Sequence, residues 1–181
     1  MTYKFDSDVR LLYGRIEKLV SPIPVRNMTA VIKRKRKKVA WMVSHCETSI
    51  RREDYVAQLQ QYIDVDVYGK CGNYRCPRNE THWISHPKCY IRLAAEYKFY
   101  LSFENSICND YVTEKLFNLL QHDIVPVVLG GANYSRIAPP HSFIDARHFE
   151  SPRYLAEYLN KLDVDDGLYA EYFNWKAAYT V

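Results

Sequence analysis

The stretch Lys98–Leu116, KFYLSFENSICNDYVTEKL, constrains the fold more than any other part of the chain. Lys98–Phe103 is an aromatic and apolar run whose length fits a buried strand. Glu104–Asp110 is a polar loop. From Tyr111 onward, Val112, Leu116, Leu119 and Leu120 fall at helical spacing, with Asp110 placed to cap the helix. A buried strand that runs through a polar loop into a helix is the repeating unit of an open α/β sheet. Such sheets bind ligands beyond the carboxyl ends of their strands. The helix start offers free backbone N–H groups and a positive dipole end, which suit phosphate. Lys115, close to that start, opposes the dipole, so an anion between the two is expected.

The rest of the chain continues the pattern. Val39–Ser44, Val65–Tyr68, Phe99–Phe103, Ile124–Leu129 and Phe143–Asp145 read as strands. Between them lie helical stretches at Arg51–Ile63, Tyr90–Tyr97 and from Tyr111. A helix opened by Ser151-Pro152 carries Leu155, Leu159 and Leu162, and a tyrosine-rich helix runs from about Gly167 to Ala178. Pro126 inside the fourth strand predicts a bulge or a gap in the ladder. Strands alternating with helices predict an α/β fold, an open and mainly parallel Rossmann-like sheet with helices on both faces.

Composition narrows the function classes. Apolar residues make up 48% and charged residues 25% of the 181, as in a soluble globular domain. The net charge of +4 favours anionic ligands without implying nucleic acid. No run approaches the ~20 apolar residues of a membrane span, and the N-terminus has no apolar signal core. The run Lys33–Lys38, KRKRKK, reads either as a nucleic-acid or nuclear-targeting patch or as a solvated loop ahead of a strand. It lacks the interleaved aromatics of a stacking surface, which favours the loop. Cys71 and Cys76, followed by Pro77, predict a small disulfide loop. The rival is a zinc site drawing on His82, His86 and Cys89, at a spacing that is a weak zinc signature. D-x-D triplets occur at Asp6–Asp8, Asp64–Asp66 and Asp163–Asp165. Three hits in one short chain show how little that triplet specifies.

FYLSFENS, then DYVTEKL, then VPVVLG at Val125–Gly130 together resemble the signature block of the α1,3-fucosyltransferases. The resemblance covers most of Val39–Trp175, and the YGxCG element at Tyr68–Gly72 is similar to the core type that acts on glycoproteins. It implies the C-terminal, donor-binding half of a GT-B glycosyltransferase. Such an enzyme moves L-fucose from GDP-fucose to a GlcNAc of glycoprotein N-glycans, in α1,3 linkage and with inversion. MTYKFDSDVRLLYG resembles an internal segment of the family, so Met1 reads as an internal methionine of a longer enzyme. Residues 1–38 then read as a remnant of the preceding domain and a basic connector, and 39–181 as the GDP-fucose-binding domain. The resemblance further implies a Golgi-lumenal, single-pass membrane protein when full length, its anchor, acceptor site and catalytic base lying outside this chain. Three N-x-S/T triplets, at Asn27, Asn79 and Asn133, lend that location slight support. No cofactor is required, a divalent cation such as manganese entering only as an activator.

Donor chemistry assigns the site residues. Arg52 and Lys115, both cations near helix starts, are placed on the pyrophosphate and take the role of a metal. The family's arginine follows a VSN sequence. Here His45 replaces that asparagine, and the adjacent Arg51 leaves the register open by one. For Arg52 the competing reading is a surface ion pair with Glu47, Glu53 or Asp54. Glu104 and Asn105 are placed on ribose or fucose hydroxyls. Tyr100 and Tyr111 pack against the sugar or bond a phosphate oxygen, core packing being the competing role. Glu114 binds hydroxyls or stabilises an oxocarbenium-like transition state, the alternative being an exposed helix glutamate. Two other function classes compete: a nucleotide-sugar-binding module without turnover, and a nucleic-acid binder through Lys33–Lys38.

Overall fold

The computed structural model describes residues 3–76 and 87–181. In chain order these form β1 (Glu17–Lys18), α1 (Thr29–Ile32), β2 (Lys37–Met42), α2 (Arg52–Leu59), β3 (Val65–Tyr68), α3 (Pro87–Glu96) and β4 (Tyr97–Phe103). There follow α4 (Glu114–Leu120), β5 (Val125–Leu129), β6 (Ile144–Asp145), α5 (Pro152–Val164), α6 (Asp166–Glu171) and β7 (Tyr179–Thr180). Strands β2 to β6 make one parallel sheet in the order β3-β2-β4-β5-β6. The expected α/β fold is therefore present, with all five strands at or within two residues of their expected positions. From β2 the chain winds outward to β3, then crosses back to β4 on the other side of β2. That reversal opens a crevice between the carboxyl ends of β2 and β4, where open α/β sheets take their ligands.

Alternation along the strands builds two cores. Val39 and Trp41 of β2, Phe99, Leu101 and Phe103 of β4 and Val127 of β5 pack against Val56 and Leu59 of α2 and Leu155 and Leu159 of α5. Ala40 and Tyr100 meet Leu93 of α3 and Leu119 of α4, while Val128 packs with Leu116 and Phe117. Helices α2 and α4 thus cover opposite faces, and β4 is buried at every residue, as the central strand of a covered parallel sheet must be. Replacing the fully buried Phe99 by alanine would cost about 3–5 kcal/mol.

Several local expectations are corrected. Helix α4 starts at Glu114 and its cap is Thr113, whose hydroxyl accepts the Lys115 N–H; Asp110 instead adopts φ 62° and accepts the Phe5 N–H. A turn closed by Tyr111 N–H to Cys108 O holds residues 108–111 out of the helix. Pro126 causes no bulge. It pairs with Tyr100, and the short β6 reaches only Val127 and Val128. The tyrosine-rich C-terminal helix stops at Glu171 and gives way to a 3-10 turn at Asn174–Ala177, an arrangement that buries Tyr172 and Phe173 in one core and Trp175 in the other.

The basic run is solvated only in part: Lys33, Arg34 and Arg36 are exposed, while the other three cations have partners. Lys35 is buried and donates to the carbonyls of Ala94, Tyr97 and Asp123. Lys37 bonds Asp66 and the Tyr97 hydroxyl, and Lys38 bonds Asn160. Three of its cations are spent on the amino end of the sheet. The expected Cys71–Cys76 disulfide is also overturned, for Cys71 pairs with Cys46 and Cys76 with Cys89. The Cys71 N–H bonds Val43 O at the end of β2, which brings Cys71 beside Cys46. Both pairings also remove the thiolates that a zinc site would need; His82 and His86 lie outside the described residues. The N-terminal segment is tied in through β1, antiparallel to β7, and through Gly14, where a side chain would collide with the Phe117 ring.

Candidate donor site

The site forms where the loops after β2 and β4 meet. After β2, residues 44–51 turn back on themselves: Thr48 donates its N–H and its hydroxyl to Glu53, and Arg51 sits at φ 53°. This leaves Arg52 as the first residue of α2 and buries it. Its guanidinium donates to Phe103 O at 2.5 Å and His45 O at 3.2 Å, clamping the end of β4 to the loop after β2. The bond uses the His45 backbone, so the departure from asparagine at that position leaves it intact. Burial lowers the Arg52 pKa, with the Glu104 carboxylate opposing that shift most strongly. Arg52 Nε has no partner.

Glu104 follows Phe103 directly and is fully buried. Its carboxylate accepts the Thr113 N–H at 2.8 Å, the Thr113 hydroxyl at 3.0 and 2.9 Å and Lys115 Nζ at 3.0 Å. Lys115 Nζ also donates to Thr113 Oγ1 at 2.9 Å and lies 3.8 Å from Glu114. The anion expected beside Lys115 is thus, in this structure, a carboxylate of the chain itself. Two helices from opposite faces of the sheet deliver one cation each to the end of β4, on either side of a buried glutamate. Such an arrangement can receive a diphosphate, because charge-assisted bonds from a guanidinium fork and an ammonium match phosphate oxygens.

The structure brings together Arg52, Glu104, Asn105 and Lys115. The Oδ1 atom of Asn105 is buried and unpartnered. Tyr111 and Glu114 flank the group, half-buried. The Tyr111 ring lies edge-on to Tyr3 at 5.1 Å, and burial with the Glu104 charge pushes its hydroxyl pKa up to about 12. Tyr100 is buried. It points into the core between α3 and α4, its ring 6.4 Å from that of Tyr90, and burial drives its pKa well above the ordinary range. Its ring packs in the core, and its hydroxyl lies within electrostatic range of Arg52 and Glu114. Of the D-x-D aspartates, Asp66 pairs with Lys37, Asp163 pairs with Lys98 and Asp165 caps α6. Among the described residues no three His, Cys, Asp or Glu side chains are grouped to hold a metal.

Sequence reasoning missed Thr113, which links Glu104 to Lys115, and Tyr55 and Tyr134, whose hydroxyls are buried without partners. Asp145 and Arg147, paired at 2.6 Å at the end of β6, were also missed. The signal for Tyr134 was the Gly130-Gly131 pair after β5, a mark of close backbone approach.

The description "Glycosyltransferase family 10 (fucosyltransferase) C-term" matches residues 32–181. The chain belongs to glycosyltransferase family 10. Within that family it is 43% identical over 196 residues to alpha-(1,3)-fucosyltransferase C of Drosophila melanogaster, an alignment covering 99% of this chain and 45% of that protein. It is 49% identical over 145 residues to glycoprotein 3-alpha-L-fucosyltransferase A of the same species, covering 78% of this chain and 28% of that protein. The chain therefore spans less than half the length of these relatives. A crystal structure of an alpha1,3-fucosyltransferase with GDP shares the fold, with a TM-score of 0.63 and 24% identity over 77% of this chain and 38% of the other. That enzyme thus shares the sheet fold described above.

Proposed function

We propose that this chain is the donor-binding part of an α1,3-fucosyltransferase that transfers L-fucose from GDP-fucose to a GlcNAc of glycoprotein N-glycans with inversion. The observation that carries the reading is the convergence of Arg52 and Lys115 on the end of β4, at the crevice where the sheet order reverses. The names of the two Drosophila relatives and the GDP and GDP-fucose complexes of solved fucosyltransferases support it. In this account the acceptor hydroxyl attacks the anomeric carbon, the bond to the β-phosphate oxygen breaks, and Arg52 and Lys115 stabilise the charge that develops on the departing diphosphate. Glu114 and Asn105 face sugar or ribose hydroxyls. The two cations supply the charge a metal would supply, so manganese acts only as an activator.

The base that deprotonates the acceptor, the acceptor site and a membrane anchor belong to the rest of the protein in this reading, residues 39–181 forming its donor domain in the Golgi lumen. Two disulfides suit such an oxidising compartment. The test is to incubate the full-length protein with GDP-fucose and a GlcNAc-terminated N-glycan and to determine the product's linkage, with and without EDTA. An α1,3-fucosylated product formed in both conditions supports the account. Transfer to another position, or strict metal dependence, contradicts it. Because the chain spans less than half of its relatives, the 181-residue stretch alone is expected to bind GDP without turnover.

A further inference from the structure

Among the described residues, four buried side-chain polar atoms have no hydrogen-bond partner: Arg52 Nε, Tyr55 Oη, Asn105 Oδ1 and Tyr134 Oη. They lie on the segments that follow β2, β4 and β5, beyond the carboxyl end of the sheet. An orphaned buried hydroxyl works against folding, and a ligand that bonds it removes the penalty. Tyr134 is the most constrained of the two tyrosines. It is only 2% exposed, on the 3-10 turn Tyr134–Arg136 after β5. The Arg147 guanidinium lies 5.4 Å from its ring centroid and the Phe143 ring 5.8 Å away, while Asp145 holds Arg147 in place. The ring cannot turn to find a partner. Its hydroxyl rests against Gly130, where any Cβ would collide with it, and that same point is 3.2 Å from Glu104 Cγ.

The surroundings of that hydroxyl select the ligand. Lys115 and Arg52, the cations fit for phosphate, are engaged at Glu104 Oε2 and at the Phe103 carbonyl. Tyr134 is instead flanked by Glu104 and by the Asp145–Arg147 pair, and it brings no charge of its own. The cation beside it, Arg147, is held by Asp145 through a two-pronged contact, so the hydroxyl offers a phosphate no free counter-charge and suits an uncharged hydroxyl. We propose that Tyr134 is a specificity-determining residue for the donor's sugar, its hydroxyl bonding a hydroxyl of the transferred hexose while Arg52 and Lys115 take the diphosphate. Gly130 is then required as the clearance that admits the Tyr134 hydroxyl to the site. This inference rests on the donor-binding reading above.

The test compares GDP with GDP-fucose by calorimetry on the full-length protein, wild type and Tyr134→Phe, together with urea unfolding of both. Phenylalanine keeps the ring and removes only the orphan oxygen. The expected result is GDP affinity within about twofold of wild type, GDP-fucose affinity lowered about fivefold, and an unfolding midpoint unchanged or raised. Equal weakening of both ligands, no weakening of either, or a lowered midpoint overturns the assignment of Tyr134 alone. A wild-type protein that binds neither ligand overturns the donor-binding reading and this assignment with it.

Discussion

Lys115 Nζ lies 3.0 Å from Glu104 Oε2, so the cation that opposes the dipole of α4 is already held by a fully buried carboxylate. Thr113 joins the pair by donating to Glu104 and accepting from Lys115. Glu104 and Lys115 therefore act as one unit at the end of β4. A diphosphate arriving in the crevice competes with Glu104 for Lys115, or shares it.

Lys115→Ala should then affect binding and folding together. Loss of a charge-assisted bond to phosphate lowers GDP affinity roughly ten- to a hundredfold. Stability falls by about 1–3 kcal/mol, because Glu104 keeps Thr113 but loses its counter-charge. Calorimetric titration with GDP and urea unfolding on the same variant check both numbers. A cation at the positive end of a helix would, on its own, leave stability unchanged or raised when removed; the Glu104 contact reverses that sign.

Arg52→Lys keeps the charge and loses the fork. The variant cannot hold Phe103 O and His45 O at once, so stability should fall by about 1–2 kcal/mol. GDP affinity should fall about tenfold, since an ammonium does not reproduce a two-pronged phosphate contact. An Arg52→Lys protein that binds GDP as tightly as wild type would remove the guanidinium from the phosphate site.

The two disulfides close loops of 25 and 13 residues. Cys46–Cys71 ties the loop that carries the His45 carbonyl to the turn after β3. Replacing both its cysteines by serine should cost about 3.5 kcal/mol by loop entropy, and about 3 kcal/mol for Cys76–Cys89. Peptide mapping of the non-reduced protein should return these two pairs with Cys108 free to alkylate. A Cys71–Cys76 peptide would contradict the fold of the loop after β3.

Much of the framework was legible in the sequence. Strand β4 could be read because all its residues are buried, and parallel sheets mark such strands by unbroken apolar runs. The places of Arg52 and Lys115 near the starts of α2 and α4 could be read as well. What could not be read were pairings set by tertiary approach. Glu104 reaches Lys115 only because residues 105–112 fold back over the strand end, and Cys71 reaches Cys46 only because β3 lies beside β2. Lys35 looked solvated by composition, yet three carbonyls at the amino end of the sheet draw it inside.

Lys35 gives the fold a pH dependence. Burial lowers its pKa to about 7 from the ordinary 10.5, with Asp123 opposing the shift and Lys176 and Lys98 adding to it. Between those values the unfolded chain binds more protons than the folded one, so stability rises with pH, by up to about 1.4 kcal/mol per unit. Below pH 7 both states carry the proton and this slope vanishes. Urea midpoints measured from pH 6 to 9 should be flat at first and then climb. In Lys35→Met the climb should disappear. A wild-type midpoint that falls between pH 7 and 9 would contradict a Lys35 held in this way.

The central claim is that a diphosphate sits between Arg52 and Lys115 at the crevice of the sheet. A crystal structure of the full-length protein with GDP tests it most directly. The account expects phosphate oxygens within hydrogen-bond distance of Lys115 Nζ and of the Arg52 guanidinium, beyond the end of β4. GDP bound elsewhere, with Lys115 still held only by Glu104 and Thr113, would contradict it.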